Sequence, residues 1–209
     1  MSRAEFEKNV FVNCPFDEDY EPILQALLFC ITWFGLKPRL ATERNDAGEA
    51  RLAKINSLIK NSKYSIHDLS RCQASKAGEF YRMNMPFELG LDFGCKVFSR
   101  GKLNSKTILV LEEKTHNYDI ALSDLSGSDI ESHNGKYDVA IRKVRNWLVG
   151  QDFKPRVGAA KIISDYEDFL EWYYEEQEKL GFNEDDILDY STPELLDAMV
   201  KWLKLGKPI

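Results

Sequence analysis

The chain has 209 residues, 44% of them hydrophobic and 30% charged, a composition that can bury a core and excludes a chain disordered throughout. Its formal charge of -6 argues against an extended basic face for nucleic acid, and leaves room only for a local basic pocket around one nucleotide. The four scattered cysteines, Cys14, Cys30, Cys72 and Cys95, spell neither a zinc ribbon nor a thioredoxin-type pair, and no apolar run reaches membrane-spanning length, so a cytoplasmic protein with reduced thiols is expected.

Val10, Phe11 and Val12 form a β-branched and aromatic run that stops at Asn13-Cys14-Pro15, the pattern of a buried first strand entering a turn. Ile23, Leu24, Leu27, Leu28, Ile31 and Phe34 then recur at helical spacing, with Gly35 where a helix C-terminus is expected. Leu36 to Ala41 reads as a second strand that Pro38 confines to the sheet edge. Leu52, Ile55, Leu58 and Ile59 mark a second helix, and Tyr64-Ser65-Ile66 leads a third strand into His67-Asp68. After a polar loop through Arg71, Lys76, Gly78 and Arg82, Pro86 suits the first turn of a third helix that should end near Gly94. Thr107 to Leu111 is a continuous apolar run, as an interior parallel strand requires.

This alternation of strands and helices predicts a doubly wound α/β fold with a mostly parallel sheet, of flavodoxin or Rossmann-like type, and a ligand cleft at the carboxyl ends of the strands. Residues 112–135 are polar and irregular, and Val139, Ala140, Val144, Trp147 and Leu148 restore a helix up to Gly150. A division into a domain at 1–150 and a helical tail at 151–209 is expected. In the tail, Ile162, Ile163, Tyr166, Phe169, Leu170, Tyr173 and Tyr174 form a broad apolar stripe, and Ser191 with Glu194 has capping-box spacing. The stripe packs the tail against the domain or a second copy, or receives a regulatory protein.

Several residues fall at the predicted cleft. Glu88 is placed in the first turn of the third helix, where the helix dipole favours an ionised carboxylate; it either complements that dipole or faces an electron-poor sugar carbon. Asp68, at a strand end, either binds ribose hydroxyls and orients the leaving base or caps a loop. Asp17 and Tyr20 form a cleft wall, or Asp17 caps the first helix. Asp92, one helical turn after Glu88, either repels it and raises one pKa or points to solvent. His67 should face away from Asp68 as a packed or surface histidine. Asp129 and His133 would share a metal only on a helix, and turn chemistry is the simpler reading. Arg44, Arg71, Lys76 and Arg82 lie in loops at the same edge and can pair with a phosphate.

The segment Met85-Pro86-Phe87-Glu88-Leu89-Gly90, followed by Gly94 and Lys96, resembles the nucleoside 2-deoxyribosyltransferase-like family, in which a glutamate in an E-L-G helix attacks the sugar. Asn13-Cys14-Pro15-Phe16-Asp17 is similar to the opening that this family shares with TIR domains, many of which cleave NAD. The resemblance implies cleavage of an N-glycosidic bond in a nucleotide or nucleoside, with NAD the leading substrate. Glu88 and Asp68 would be catalytic, and Asn13, Pro15, Phe16, Asp17, Tyr20, Arg44, Arg82 and Met85 would bind substrate. Neither a metal nor an organic cofactor is expected. Homo-oligomers, and control by a protein partner as in short TIR-like proteins of bacterial defence, are also implied. The alternative is a nucleotide-sensing or self-associating module of TIR-like fold without catalysis.

Overall fold

The structure is a computed structural model and describes residues 2–43, 46–71, 82–119 and 122–208. Five strands make one parallel sheet: β1 (Asn9–Asn13), β2 (Lys37–Arg39), β3 (Tyr64–Asp68), β4 (Thr107–Glu112) and β5 (Ile130–Ser132), in the order β2-β1-β3-β4-β5. Pro38, which lacks an N–H, sits in the edge strand β2, whereas β1 and β3 are buried along their whole length. The order is that of a flavodoxin-type doubly wound sheet, whose topological switch lies between β1 and β3. Register there sets Asn13 beside His67, so both strands end at the same level.

A short helix α1 (Arg3–Phe6) precedes β1 and is closed by a capping box of Ser2 and Glu5. The crossover helices are α2 (Glu21–Trp33), α3 (Arg51–Lys60) and α4 (Asn84–Phe98), and α5 (Tyr137–Gly150) follows the last strand. Helix α2 ends in a Schellman motif: the Gly35 N–H meets the Thr32 carbonyl, the Leu36 N–H meets that of Ile31, and Gly35 takes a φ of 72°. Gly94, in contrast, does not stop α4, which runs on to Phe98; Gly94 keeps a negative φ, and a glycine inside a helix costs only about 1 kcal/mol. The polar stretch after β4 holds a strand that the sequence pattern does not reveal, because β5 has three half-buried residues and no alternation.

Alternation along the strands divides the core. Val10, Val12, Tyr64, Ile66, Leu109 and Leu111 face α2 and α5, while Phe11 packs on the opposite side with Ile55, Leu58 and Ile59 of α3. The first of these clusters continues without a break into α6 (Ala159–Lys179), α7 (Glu184–Leu188) and α8 (Thr192–Lys204). Phe29 of α2 stacks on Phe169 at 5.4 Å and meets Trp202 at 5.7 Å, all three fully buried. Asp165, buried on α6, accepts the Trp33 indole N–H at 2.8 Å and the ammonium groups of Lys161 and Lys207 at 2.6 Å each. The capping box of Ser191 and Glu194 starts α8 as its spacing predicts. No helix among the described residues is long and apolar enough to cross a membrane.

Candidate active site

Asn13 ends β1 with its side chain on the α3 and α4 side, and its Nδ2 donates to the Met85 carbonyl at 3.1 Å. The same amide lies 3.0 Å from Nδ1 of His67, whose Nε2 lies 3.0 Å from Oδ2 of Asp92. Lys106 completes the chain: its buried ammonium pairs with Asp92 Oδ1 at 3.2 Å and donates to the carbonyls of Ile59, at 2.8 Å, and Ser62. Through these contacts the first turn of α4 is fastened to the end of β1. His67 is therefore a packed histidine, T-shaped against Phe11. Asp92 does not point to solvent: burial pushes its carboxyl up, and the His67 and Lys106 contacts outweigh that and hold it below the ordinary aspartate range.

Glu88 also departs from its expected setting. Because α4 begins at Asn84, the first turn holds Pro86 but no acidic residue, and Glu88 lies one turn further in. There the helix's own N–H groups are already used, and the dipole is weaker. The side chain is nearly buried, and the one cation paired with it among the described residues is Arg51, whose guanidinium stands 3.7 Å away. Burial accordingly pushes the Glu88 carboxyl above its ordinary range, with Arg51 acting in the opposite sense. The cause is desolvation, not repulsion by Asp92.

Asp68 stands at the end of β3 on the opposite side of the sheet, and four donors surround it. The Ser70 N–H reaches Oδ1 at 2.8 Å, with the Ser70 hydroxyl on the same oxygen; the Tyr20 hydroxyl reaches Oδ2 at 2.7 Å and His133 Nε2 at 3.0 Å. Nδ1 of His133 accepts the Gly135 N–H at 3.1 Å, so the ring proton sits on Nε2 and is directed at Asp68. Burial pushes the Asp68 carboxyl up, yet His133, Ser70 and Tyr20 together hold it below the ordinary range. A ribose hydroxyl would have to displace one of these donors to reach it. Serine, histidine and aspartate meet here without forming a nucleophilic triad, since Ser70 Oγ and Asp68 both address the same ring nitrogen, Nε2.

Among the other expected site residues, Pro15 is buried, Phe16 exposed and Met85 buried behind Asn13. Asp17 caps nothing with its side chain; it pairs with Arg71 at 2.8 Å and Arg82 at 3.2 Å, and Arg71 also reaches Glu113. Arg44 and Lys76 lie outside the described residues. Asp129 and His133 flank β5 and share no helix. Cys14, next to Asn13, is buried, and burial first, then the charges of Asp68, Asp17 and Glu88, push its thiol well above the ordinary range.

Nothing in the sequence marks Ser70 or Lys106 as part of this site, and His133 stands out there only beside a loop that could fold over the cleft and as a possible metal partner of Asp129. Comparison of the chain with protein-family models, with curated proteins and with solved structures finds no match.

Proposed function

We propose that the protein cleaves the N-glycosidic bond of a nucleotide or nucleoside, with NAD the leading substrate and Glu88 as the carboxylate that meets the sugar. One observation carries this reading: a nearly buried glutamate at the carboxyl edge of the sheet, next to the switch between β1 and β3, with one guanidinium among the described residues, that of Arg51, at 3.7 Å. A carboxylate so poorly solvated gains most when positive charge develops beside it. Its environment is opposite to that of Asp68, and a pair of carboxylates pushed apart in this way is the usual signature of a division of roles.

In the proposed reaction the bond between the anomeric carbon and the base nitrogen breaks and its electron pair leaves with the base. From NAD the base departs as neutral nicotinamide, so no proton has to be supplied to it. Glu88 either bonds to the anomeric carbon or stabilises the oxocarbenium ion; water then adds to that carbon and releases a proton, and where the ester has formed, its carbon–oxygen bond breaks and the Glu88 carboxylate leaves. An acceptor base in place of water gives transfer. Asp68 acts as a positioning group that fixes Tyr20, Ser70 and His133 along the cleft. Arg82 and Arg51, both largely exposed at the guanidinium, are available to a phosphate.

The test is incubation of the purified chain with NAD, NADP, nucleosides and deoxynucleosides, followed by separation of products. Free base in equal amount to the new sugar product is expected. Absence of turnover on the whole panel, with a nucleotide still raising the melting temperature, would favour the sensor reading.

A further inference from the structure

Helix α4 buries Met85, Glu88, Leu89 and Asp92 on its inner side, and its outer side is apolar as well. Met83 just before the helix, and Phe87, Val97 and Phe98 within it, are 62%, 56%, 63% and 87% exposed. At 100° per residue these four, together with Gly90 and Gly94, fall on one stripe about 100° wide that carries no charged residue. A side chain at Gly90 would meet nothing within 4 Å, whereas one at Gly94 would touch the Phe98 ring at 3.7 Å, so the stripe is open at Gly90 and bordered by Phe98 beside Gly94. The four large side chains leave on the order of 500 Å² of apolar surface exposed, the size at which a patch marks an interaction site.

We infer that this stripe is the contact between two copies of the chain, α4 packing antiparallel on α4 about a two-fold axis at the level of Asp92. The spacing of the stripe carries the inference. Phe87 stands five positions before Asp92 and Val97 five after it, while Gly90 stands two before and Gly94 two after. Antiparallel copies therefore bring Phe87 level with Val97 and Gly90 level with Gly94, so bulk meets bulk at both ends and the backbones approach in the middle. An isologous interface needs such self-complementarity, because each contact is made twice. The area involved, about 1,000 Å² over both copies, is at the lower bound for specific interfaces and implies a reversible dimer. In the tail Phe169, Tyr173 and Trp202 are spent on the core, and the exposed Leu180, Phe182, Leu188 and Leu205 are divided among α7 and the ends of α6 and α8 rather than forming one stripe on a single helix.

Sedimentation velocity of the full chain over a range of concentrations tests this, with circular dichroism confirming that each variant is folded. The wild-type chain should shift from monomer to dimer as concentration rises. Phe87→Lys alone and Val97→Glu alone should each weaken the dimer at least tenfold. Phe87→Lys combined with Val97→Glu in the same chain should restore it, since antiparallel copies set opposite charges level with each other at both ends. A chain that stays monomeric at every concentration overturns the inference, as does a dimer unaffected by the single changes or not rescued by the pair. Binding to anionic lipid vesicles without any dimer in solution would assign the stripe to a membrane surface and overturn it equally.

Discussion

His133 Nε2 stands 3.0 Å from Oδ2 of Asp68, although 65 residues separate the two in sequence. The contact spans the sheet from the end of β3 to the turn beyond β5, and both side chains are fully buried. Tyr20 brings α2 into the same cluster through its hydroxyl, and burial and the Asp68 charge keep that hydroxyl protonated as a donor. One carboxylate therefore links the end of β3, the residue before α2 and the turn after β5.

Replacing Asp68 with Asn should cost about 2 to 3 kcal/mol, because the amide nitrogen would face donors in place of an acceptor. The folded-state pKa of Asp68 lies below its unfolded value, so the stabilisation is present above the unfolded pKa of about 3.9 and is lost as pH falls through the folded value. Chemical denaturation of wild type and Asp68→Asn at a series of pH values should show the two stabilities converging below about pH 4. A constant difference at every pH would mean that the charge contributes nothing.

Lys106 and Asp92 form a second buried pair, on the other side of the sheet. Lys106→Met should destabilise by about 3 to 5 kcal/mol, since it leaves the Asp92 carboxylate buried without its cation and takes a donor from the carbonyls of Ile59 and Ser62. Asp92→Asn should cost less than this, and the double change less than the two single costs added together. Urea titrations of the four proteins give the coupling directly, and additive costs would show that the two groups act independently.

These two clusters also mark where the sequence ceases to be informative. Val10 to Val12 and Thr107 to Leu111 declare themselves as strands because they are apolar throughout, and Pro38 declares an edge because it lacks an N–H. Asp68 and Glu88 are legible as candidates, since each follows a pattern with a known direction. Nothing local in the sequence says that Lys106, on the flank of an apolar run, turns inward to Asp92, or that His133 crosses to Asp68. Those contacts depend on strand order, and strand order is decided by crossovers whose lengths alone do not fix it. Glu88 lies one turn further from the helix start than its pattern suggests for a related reason: Pro86 is tolerated at any position of the first turn, and here it takes the third.

The junction between tail and sheet layer should be energetically strong. Trp202 is fully buried against Phe29 and Phe169, and its indole N–H donates to the Pro208 carbonyl at 2.8 Å. Trp202→Ala should therefore cost about 3 to 5 kcal/mol. Deleting residues 155–209 should be worse, because it would expose Phe29 and its neighbours on α2, and an aggregated product is expected. A monodisperse truncation with the wild-type melting temperature would show that the junction carries no such weight.

Glu88→Gln separates the catalytic reading from a structural one, because the two assign opposite consequences to the loss of one charge. Burial disfavours the Glu88 anion in the folded chain, so removing the charge should leave stability unchanged or slightly higher. Its guanidinium partner is 60% exposed and separated by 3.7 Å, which makes the lost ion pair worth little. If Glu88 meets the sugar, base release should fall by about two orders of magnitude or more, the scale of losing about 3 kcal/mol of transition-state stabilisation. Nucleotide affinity should stay within a few-fold of wild type, since in this reading the carboxylate meets the sugar carbon and the Arg51 guanidinium, 3.7 Å away, remains in place. Product release and ligand-induced shifts in melting temperature, measured on the same preparation, give both quantities. A folded Glu88→Gln protein that releases base at the wild-type rate would take Glu88 out of the reaction and leave the strand ends as a binding site alone.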